Sequence, residues 1–312
     1  MAENLSDFLE AVDKAISKWG RGRRLAFRDA VVGHALIDQI IMKFQTLAIG
    51  HDLRETWGFD FIVFEPMHKL ETEKLFAGVI GEQYEMLKVI CPEAARLSQL
   101  VGKYVGQAEL PCQDAPQALE LGCGTGITTL ALLSERPDLK LTSLDNEPTM
   151  LRQARENLAP WLDRGTLALL ETDALSGLKA TASDSLDVIA SAYTIHNFLD
   201  DYRSEVLAEI SRVLKPGGLF VNGDRYALDD SREHTAMIQE EVKLYFQRVA
   251  PLERYDLLEH WIVHLFSDES PDHVMRIGPA LAKMEDLGFE AIQVHHRQAV
   301  NAMVTARKGD ST

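Results

Sequence analysis

Cysteine is scarce and scattered in this chain. Only Cys91, Cys112 and Cys123 occur in 312 residues, with no CxxC pair and no His/Cys spacing of the zinc kind. Neither a disulfide framework nor a structural metal site is indicated, and a reducing compartment fits. Positive charge is also in deficit: 32 basic against 48 acidic side chains give a formal net charge of -16. That balance works against long contacts with nucleic acid or an anionic membrane and favours a small-molecule or protein substrate. No window approaches the uninterrupted apolar length of a membrane span. The amino terminus, MAENLSDFLE, is acidic and amphipathic and lacks the charged segment leading to an apolar core that a signal peptide requires. A soluble, cytoplasmic protein is the expectation.

Apolar residues are plentiful, at 46%, and the length suits one large domain or two modest ones. The texture changes near residue 110. Before it the pattern is helical: Leu5, Phe8, Leu9, Val12 and Ile16 mark one face, and Val31 to Leu47, Lys69 to Ile90 and Glu93 to Val105 mark further segments. The arginines Arg21, Arg23, Arg24 and Arg28 read as a solvated turn. Residues 1–110 are therefore expected to form a helical region acting as a lid or dimer face, with Trp57, Phe59, Phe61, Phe64 and Tyr84 able to wall an apolar pocket. The apolar helix at Val31 to Leu47 could complete the core, cover the site or form a dimer face, and a homodimer is the expectation.

The polar, proline-bearing stretch Gly106 to Gln117 breaks the periodicity. After it, strand-like runs alternate with amphipathic helices: Ala118 to Leu121, Ile127 to Arg136, Leu139 to Leu144, Met150 to Leu162, Leu167 to Leu170, Leu186 to Ala192, Asp201 to Leu214 and Leu219 to Asn222. That order predicts a parallel sheet with helices on both faces across a domain at 111–312. Inserted helices are expected at about 231–270, another helix over Asp272 to Leu287, and a closing strand pair at Glu290 to Val294 and Ala302 to Thr305, which adds an antiparallel edge.

Within ALELGCGTGITTLALL, glycines 122, 124 and 126 let the backbone take strained angles and approach a ligand closely. A dinucleotide fingerprint needs its third glycine at position 127, which is Ile127; the spacing here is G-x-G-x-G. Glu120, two residues before the first glycine, would repel a pyrophosphate but attract a cationic amino group. The turn suits a ligand with an ammonium and a sulfonium. Asp145, at the end of the second strand, can accept from both hydroxyls of a ribose. Asp173 ends the third strand, where it can accept from an adenine amino group, with Ala174 supplying a backbone donor.

ELGCGTG, LDN, TDA, SLDVIASAYTIHNF and RVLKPGGLFV resemble the successive motifs of class I S-adenosylmethionine-dependent methyltransferases. The likeness spans roughly residues 115 to 308. It implies a Rossmann-like α/β fold with a seven-stranded, mostly parallel sheet whose last strand is antiparallel, and S-adenosyl-L-methionine as cofactor. It implies Glu120 near the methionine amino group, Asp145 on the ribose and Asp173 on the adenine. The expected cofactor set is Glu120, Gly122, Cys123, Gly124, Gly126, Asp145, Asn146, Asp173, Ala174 and Ser191. WGFDFIVFEPMHK with GEQYEMLKVI, and VKLYFQRV to RYDLLEHW, are similar in layout to carboxy-S-adenosylmethionine synthases, whose glycine loop is of the GCSLG kind where this chain has GCGTG.

Methyl transfer from a sulfonium depends first on positioning, and a base helps only when the acceptor must lose a proton. Candidates on the substrate side are Tyr193, His196 and Asn197 after the fourth strand, and Asp224, Arg225 and Tyr226 at the end of the fifth. His196 is a candidate general base; the other reading is an imidazole bonded to backbone. Asp224 and Arg225 either meet the substrate or pair with one another. Tyr245, Arg248, Arg254, Tyr255, His260 and His264 supply polar and aromatic groups on the inserted helices. His260 and His264 share a helical face, but no third ligand stands at a recognisable spacing, so no metal is expected. The expectation is methyl transfer to oxygen or nitrogen of a small molecule; the alternatives are modification of the cofactor itself and a non-catalytic S-adenosylmethionine sensor or partner.

Overall fold

The computed structural model describes residues 91–310, so the expected helices before residue 91 and the aromatic set from Trp57 to Tyr84 lie outside the described residues. The described residues fall in two compact units. Residues 91–231 with 274–310 carry the sheet, and residues 232–273 are the described part of the other unit.

In the sheet-bearing unit the elements follow in the order α1 (Pro92–Gln107), β1 (Gln117–Leu121), α2 (Ile127–Glu135), β2 (Lys140–Asp145), α3 (Pro148–Asn157), α4 (Ala159–Asp163), β3 (Leu167–Glu171), α5 (Ala174–Ala180), β4 (Leu186–Ala192), a 3₁₀ turn (Ile195–Asn197), α6 (Asp200–Val213) and β5 (Leu214–Arg225). The helices α7 (Ser231–Val249) and α8 (Tyr255–Asp268) come next, and α9 (Ile277–Asp286), β6 (Phe289–Gln298) and β7 (Asn301–Lys308) close the sheet.

The seven strands lie in the order β3-β2-β1-β4-β5-β7-β6. Strands β1 to β5 pair in parallel, while β7 runs antiparallel to both β5 and β6. The chain winds outward from β1 to β3 and then returns to the other side of β1 at β4. The carboxyl ends of β1 and β4 therefore flank the switch point where open parallel sheets bind ligands.

Alternation along each strand assigns residues to two cores. Leu119, Leu121, Ile189 and Phe220 face α5, α6 and α9, packing with Leu178, Ile210 and Met284. Ala118, Val188, Ala190 and Val221 face the other way, against Leu97, Val101 and Val105 of α1 and Leu132 and Leu133 of α2. Each buried leucine of this kind stabilises by about 1.5–3 kcal/mol. Helix α1, expected to belong to the helical region ending near residue 110, packs into this second core.

The expected linker is pinned at its end. Asp187, fully buried in β4, accepts the N–H groups of Cys112 (3.0 Å) and Gln117 (2.9 Å), and Lys215 Nζ sits 2.8 Å from both carboxylate oxygens.

Several expected elements differ in extent, among them the closing strands, which run over Phe289–Gln298 and Asn301–Lys308. The helix expected over Met150 to Leu162 is broken at Leu158 into α3 and α4; Pro160 has no N–H to donate and its ring crowds the carbonyl four residues back, so a continuous helix cannot run through it. The helix expected from Asp272 begins only at Ile277, because the chain before it is extended: Met275 C=O accepts from Ala227 N–H (2.7 Å), Ile277 N–H donates back to Ala227 C=O (3.0 Å), and Arg276 bridges Ala227 in parallel. Strand β5 begins at Leu214 rather than Leu219 and runs on to Arg225.

In the other unit, α7 and α8 correspond to the inserted helices expected at about 231–270. They are joined through a 3₁₀ turn at Ala250–Leu252 and by Glu253, whose φ of 55° reverses the chain. The rings of Tyr245 and Trp261 lie 6.4 Å apart, Trp261 meets His264 edge-on at 5.8 Å, and the Tyr245 hydroxyl is 2.7 Å from Glu241. His234 Nε2 lies 2.6 Å from Glu269. His260 is exposed whereas His264 is buried, so the two histidines that share a helical face in the sequence pattern have different surroundings.

Candidate cofactor and catalytic site

At the tip of β1 the chain turns on Gly122, with φ +69°. A Cβ at this position would lie 2.1 Å from Thr194 Oγ1, so any side chain would collide with the loop after β4. Gly124, with φ +53°, is different: a Cβ there meets no atom within 4 Å, and the left-handed backbone alone favours glycine. The turn is fastened by Cys123 N–H to Leu144 C=O (2.9 Å) and by Gly124 N–H to Asp145 Oδ2 (2.7 Å).

Glu120 points from β1 into the core on the α1/α2 side, opposite Ser143 in register. Its Oε2 accepts from the hydroxyls of Thr129 and Ser143, both at 2.6 Å, while Oε1 is buried without a hydrogen-bond partner. Burial pushes its carboxyl up to about 7; the two hydroxyls pull it down, and the nearby Asp145 pushes it up. A buried carboxylate oxygen without a donor costs on the order of 1–3 kcal/mol or more, and a cationic amino group offsets that cost directly.

Asp145 accepts Gly124 N–H on one oxygen and Glu147 N–H (2.9 Å) on the other. Burial raises its carboxyl and these backbone bonds oppose the rise. The Asn146 N–H also donates to this carboxylate, and the residue thus holds the glycine turn in shape. Cys123 is buried, and burial together with Glu120 and Asp145 holds its thiol protonated; it is packing, not a nucleophile. Asn146 is exposed beside it.

Asp173 caps α5, accepting Ser176 N–H (2.9 Å) and the Tyr202 hydroxyl (2.9 Å). Burial pushes this carboxyl up, but the bonds from Ser176 and Tyr202 bring it below the ordinary carboxylate range. Ala174 opens α5 and is buried. Ser191, fully buried opposite Leu121, makes a long hydrogen bond to that residue's carbonyl (3.4 Å).

The loop after β4 brings the other candidates together. Tyr193 has φ +51°, a strained value for a residue with a side chain. It is held by its N–H to Gly223 C=O (2.9 Å), by Asn197 Nδ2 on its carbonyl (3.2 Å) and by its hydroxyl donated to Asn301. Its ring meets His196 edge-on at 5.9 Å.

His196 is 4% exposed, and its Nδ1 lies 2.5 Å from Asp224 Oδ1. Asp224 is fully buried and also accepts the N–H groups of Ile195 (3.0 Å), His196 (3.2 Å) and Arg225 (2.9 Å) and the Asn222 amide (3.3 Å). So many donors fix the direction of the carboxylate, and it in turn fixes the imidazole. The imidazole Nδ1 is bonded to a carboxylate. The contact between Asp224 and Arg225 is a backbone N–H donated to the carboxylate, not the anticipated side-chain pairing.

Sequence reasoning missed Thr129, Ser143, Thr194, Arg203, Asn222 and Asn301. For Ser143 a signal existed: it is a polar residue at an inward position of LTSLD, opposite Glu120.

Residues 118–218 match the methyltransferase domain family model. The ubiquinone/menaquinone biosynthesis C-methyltransferase of Syntrophotalea carbinolica is 28% identical over 201 residues, 64% of this chain and 79% of that protein. The carboxy-S-adenosyl-L-methionine synthase of Campylobacter lari is 27% identical over 143 residues, 46% of this chain and 56% of that one. Among solved structures, an O-methyltransferase family protein from Burkholderia thailandensis has a TM-score of 0.53 at 16% identity, covering 89% of this chain and 72% of its own. Human N-acetylserotonin methyltransferase in complex with S-adenosylmethionine has a TM-score of 0.51 at 18% identity, covering 86% of this chain and 65% of its own. With the sheet order and the glycine turn, these matches support a class I S-adenosylmethionine-dependent methyltransferase with S-adenosylmethionine as cofactor.

Proposed function

We propose that the protein transfers a methyl group from S-adenosylmethionine to the oxygen or nitrogen of a small molecule, with His196 as the general base. The observation that carries this reading is the His196–Asp224 pair, buried at the tips of β4 and β5 beside the glycine turn. Bound S-adenosylmethionine supplies an electrophilic methyl group on sulfur. Glu120 Oε1 would meet the donor's ammonium, Asp145 the ribose hydroxyls and Asp173 the adenine amino group, with Gly122, Cys123, Gly124, Gly126, Asn146, Ala174 and Ser191 lining the same crevice. The orphan oxygen of Glu120 fits a cation, and the open approach over Gly124 fits a ligand lying against the backbone.

On the acceptor side, Asp224 holds the proton of His196 on Nδ1, so Nε2 is the basic nitrogen that would take the acceptor's proton in a transfer that breaks the donor's methyl–sulfur bond and releases the demethylated thioether. Tyr193, fixed through Asn301, and Arg225 at the end of β5 are proposed to shape the acceptor side. The charge of -16 favours a small acceptor over nucleic acid, and no described helix is long and apolar enough to cross a membrane. Cytoplasmic location, a homodimer and a lid within residues 1–110 belong to the same proposal.

The test uses S-adenosylmethionine labelled at its methyl group against a panel of phenols, amines and enolisable ketones. Label on an O–H or N–H acceptor, lost in His196→Gln, supports the reading; label only on carbon would redirect it to C-methylation. Similarity to carboxy-S-adenosylmethionine synthases favours a second reading, modification of the cofactor. Mass spectrometry of the ligand retained through purification separates the two, since a carboxylated sulfonium differs in mass.

A further inference from the structure

The first turn of α6 carries two side chains that the proposed reaction leaves without a role. Arg203 is 5% exposed, and its guanidinium reaches back to the 3₁₀ turn bearing His196. Nε donates to the carbonyl of Ile195 (3.3 Å), and Nη2 to those of Phe198 (2.6 Å) and His196 (3.5 Å). On its other side the same turn gives the N–H groups of Ile195 and His196 to Asp224. A three-residue 3₁₀ turn has weak hydrogen bonds of its own, here Asn197 N–H to Thr194 C=O and Phe198 N–H to Ile195 C=O, both at 3.1 Å, and these alone hold it poorly. Its geometry is therefore set from outside: Asp224 grips its donors and Arg203 its acceptors. A planar guanidinium can serve several carbonyls at once, which a lysine ammonium on a flexible stem does not reproduce.

Tyr202, the preceding residue, engages a different strand tip. Its hydroxyl donates to Asp173 Oδ1 (2.9 Å) and accepts the N–H of Leu175 (3.1 Å). Neighbouring side chains of one helical turn thus support the proposed adenine end and the proposed base separately.

We propose that Arg203 is a positioning residue for His196: by holding the carbonyls of residues 195, 196 and 198 it keeps the imidazole in the tautomer with its proton on Nδ1, directed at Asp224. This rests on the reading of His196 as the base. The test is the histidine ring ¹⁵N–¹H correlation spectrum of the full chain, with the His196 signals identified by their loss in His196→Gln.

The wild-type protein gives a single Nδ1–H tautomer at His196. Arg203→Met and Arg203→Lys lose it and show a mixture of the two tautomers, while calorimetry finds their affinity for S-adenosylmethionine unchanged. Tyr202→Phe does the reverse, weakening S-adenosylmethionine and leaving the His196 signature intact. A folded Arg203→Met or Arg203→Lys that retains the single tautomer overturns the proposal. A tautomer mixture in the wild type does so too, as does failure of both variants to fold, which would make Arg203 an architectural residue. Should His196→Gln transfer methyl groups at the wild-type rate, the base assignment fails while the spectrum still decides what Arg203 does.

Discussion

Donor affinity should depend on pH through Glu120. Burial, with Asp145 adding to it and the hydroxyls of Ser143 and Thr129 opposing it, moves this carboxyl from 4.5 to about 7 in the donor-free fold. The folded value is raised, so the proton is held in the folded chain over a range where the unfolded chain has lost it. The stability associated with this group is intact below pH 4.5 and declines as pH climbs to about 7. The gap of 2.5 units between 4.5 and 7 corresponds to about 3 kcal/mol. An ammonium beside Oε1 selects the ionised form, so binding must expel the proton wherever it is present. At pH 5.5 nearly every donor-free site carries it, and at pH 7 about half do. The Kd for S-adenosylmethionine is therefore about 15-fold weaker at pH 5.5 than at pH 7, a window in which the donor's α-amino group stays charged. Calorimetry between those values, in two buffers of different ionisation heat, reads both the slope and a release approaching about one proton per site at pH 5.5. Glu120→Gln binds the donor more weakly and without this slope. A flat wild-type profile, or the same slope in Glu120→Gln, would refute the reasoning.

Other perturbations separate chemistry from scaffold. Asp224→Asn leaves His196 without its carboxylate, so methyl transfer to the acceptor that turns over should fall about 10²- to 10⁴-fold in kcat, with the Kd for S-adenosylmethionine barely changed in calorimetry. Gly122→Ala places a Cβ 2.1 Å from Thr194 Oγ1, whereas the same change at Gly124 meets no neighbour. Urea unfolding should show Gly124→Ala costing about 1–2 kcal/mol for the left-handed backbone alone, and Gly122→Ala clearly more. Asp187→Ala strands Lys215 and two backbone N–H groups at the opposite end of β4. It should lower stability by about 3–5 kcal/mol while donor affinity in the folded fraction is unaltered.

What the sequence made legible follows from local rules. Glycines 122, 124 and 126 are readable because bare backbone at a strand tip has few structural explanations. Glu120 and Asp145 are readable because period-2 alternation and strand length place them at neighbouring strand ends; Asp173, expected to end the third strand, instead caps α5 two residues beyond it. The alternation of strands and helices carried the parallel part of the sheet, and the closing strand pair that departs from it carried the antiparallel end. Pairings across long separations were not readable: Asp224 meets His196 across 28 residues and Tyr193 meets Asn301 across 108, and no periodicity encodes either. Adjacent Asp224 and Arg225 suggested a local pair, but the tip of a strand sends neighbouring side chains to opposite faces. The helix expected from Asp272 was shortened by a bridge between Met275, Arg276 and Ala227, a tertiary contact that overrides a helical pattern.

The most direct trial of the account is product analysis with methyl-labelled S-adenosylmethionine and the wild-type chain beside His196→Gln. The account predicts label on the oxygen or nitrogen of a small acceptor, demethylated donor in equal amount, and near-complete loss in the variant. Label on no acceptor of the panel, with a carboxylated sulfonium recovered from the purified protein, would contradict it.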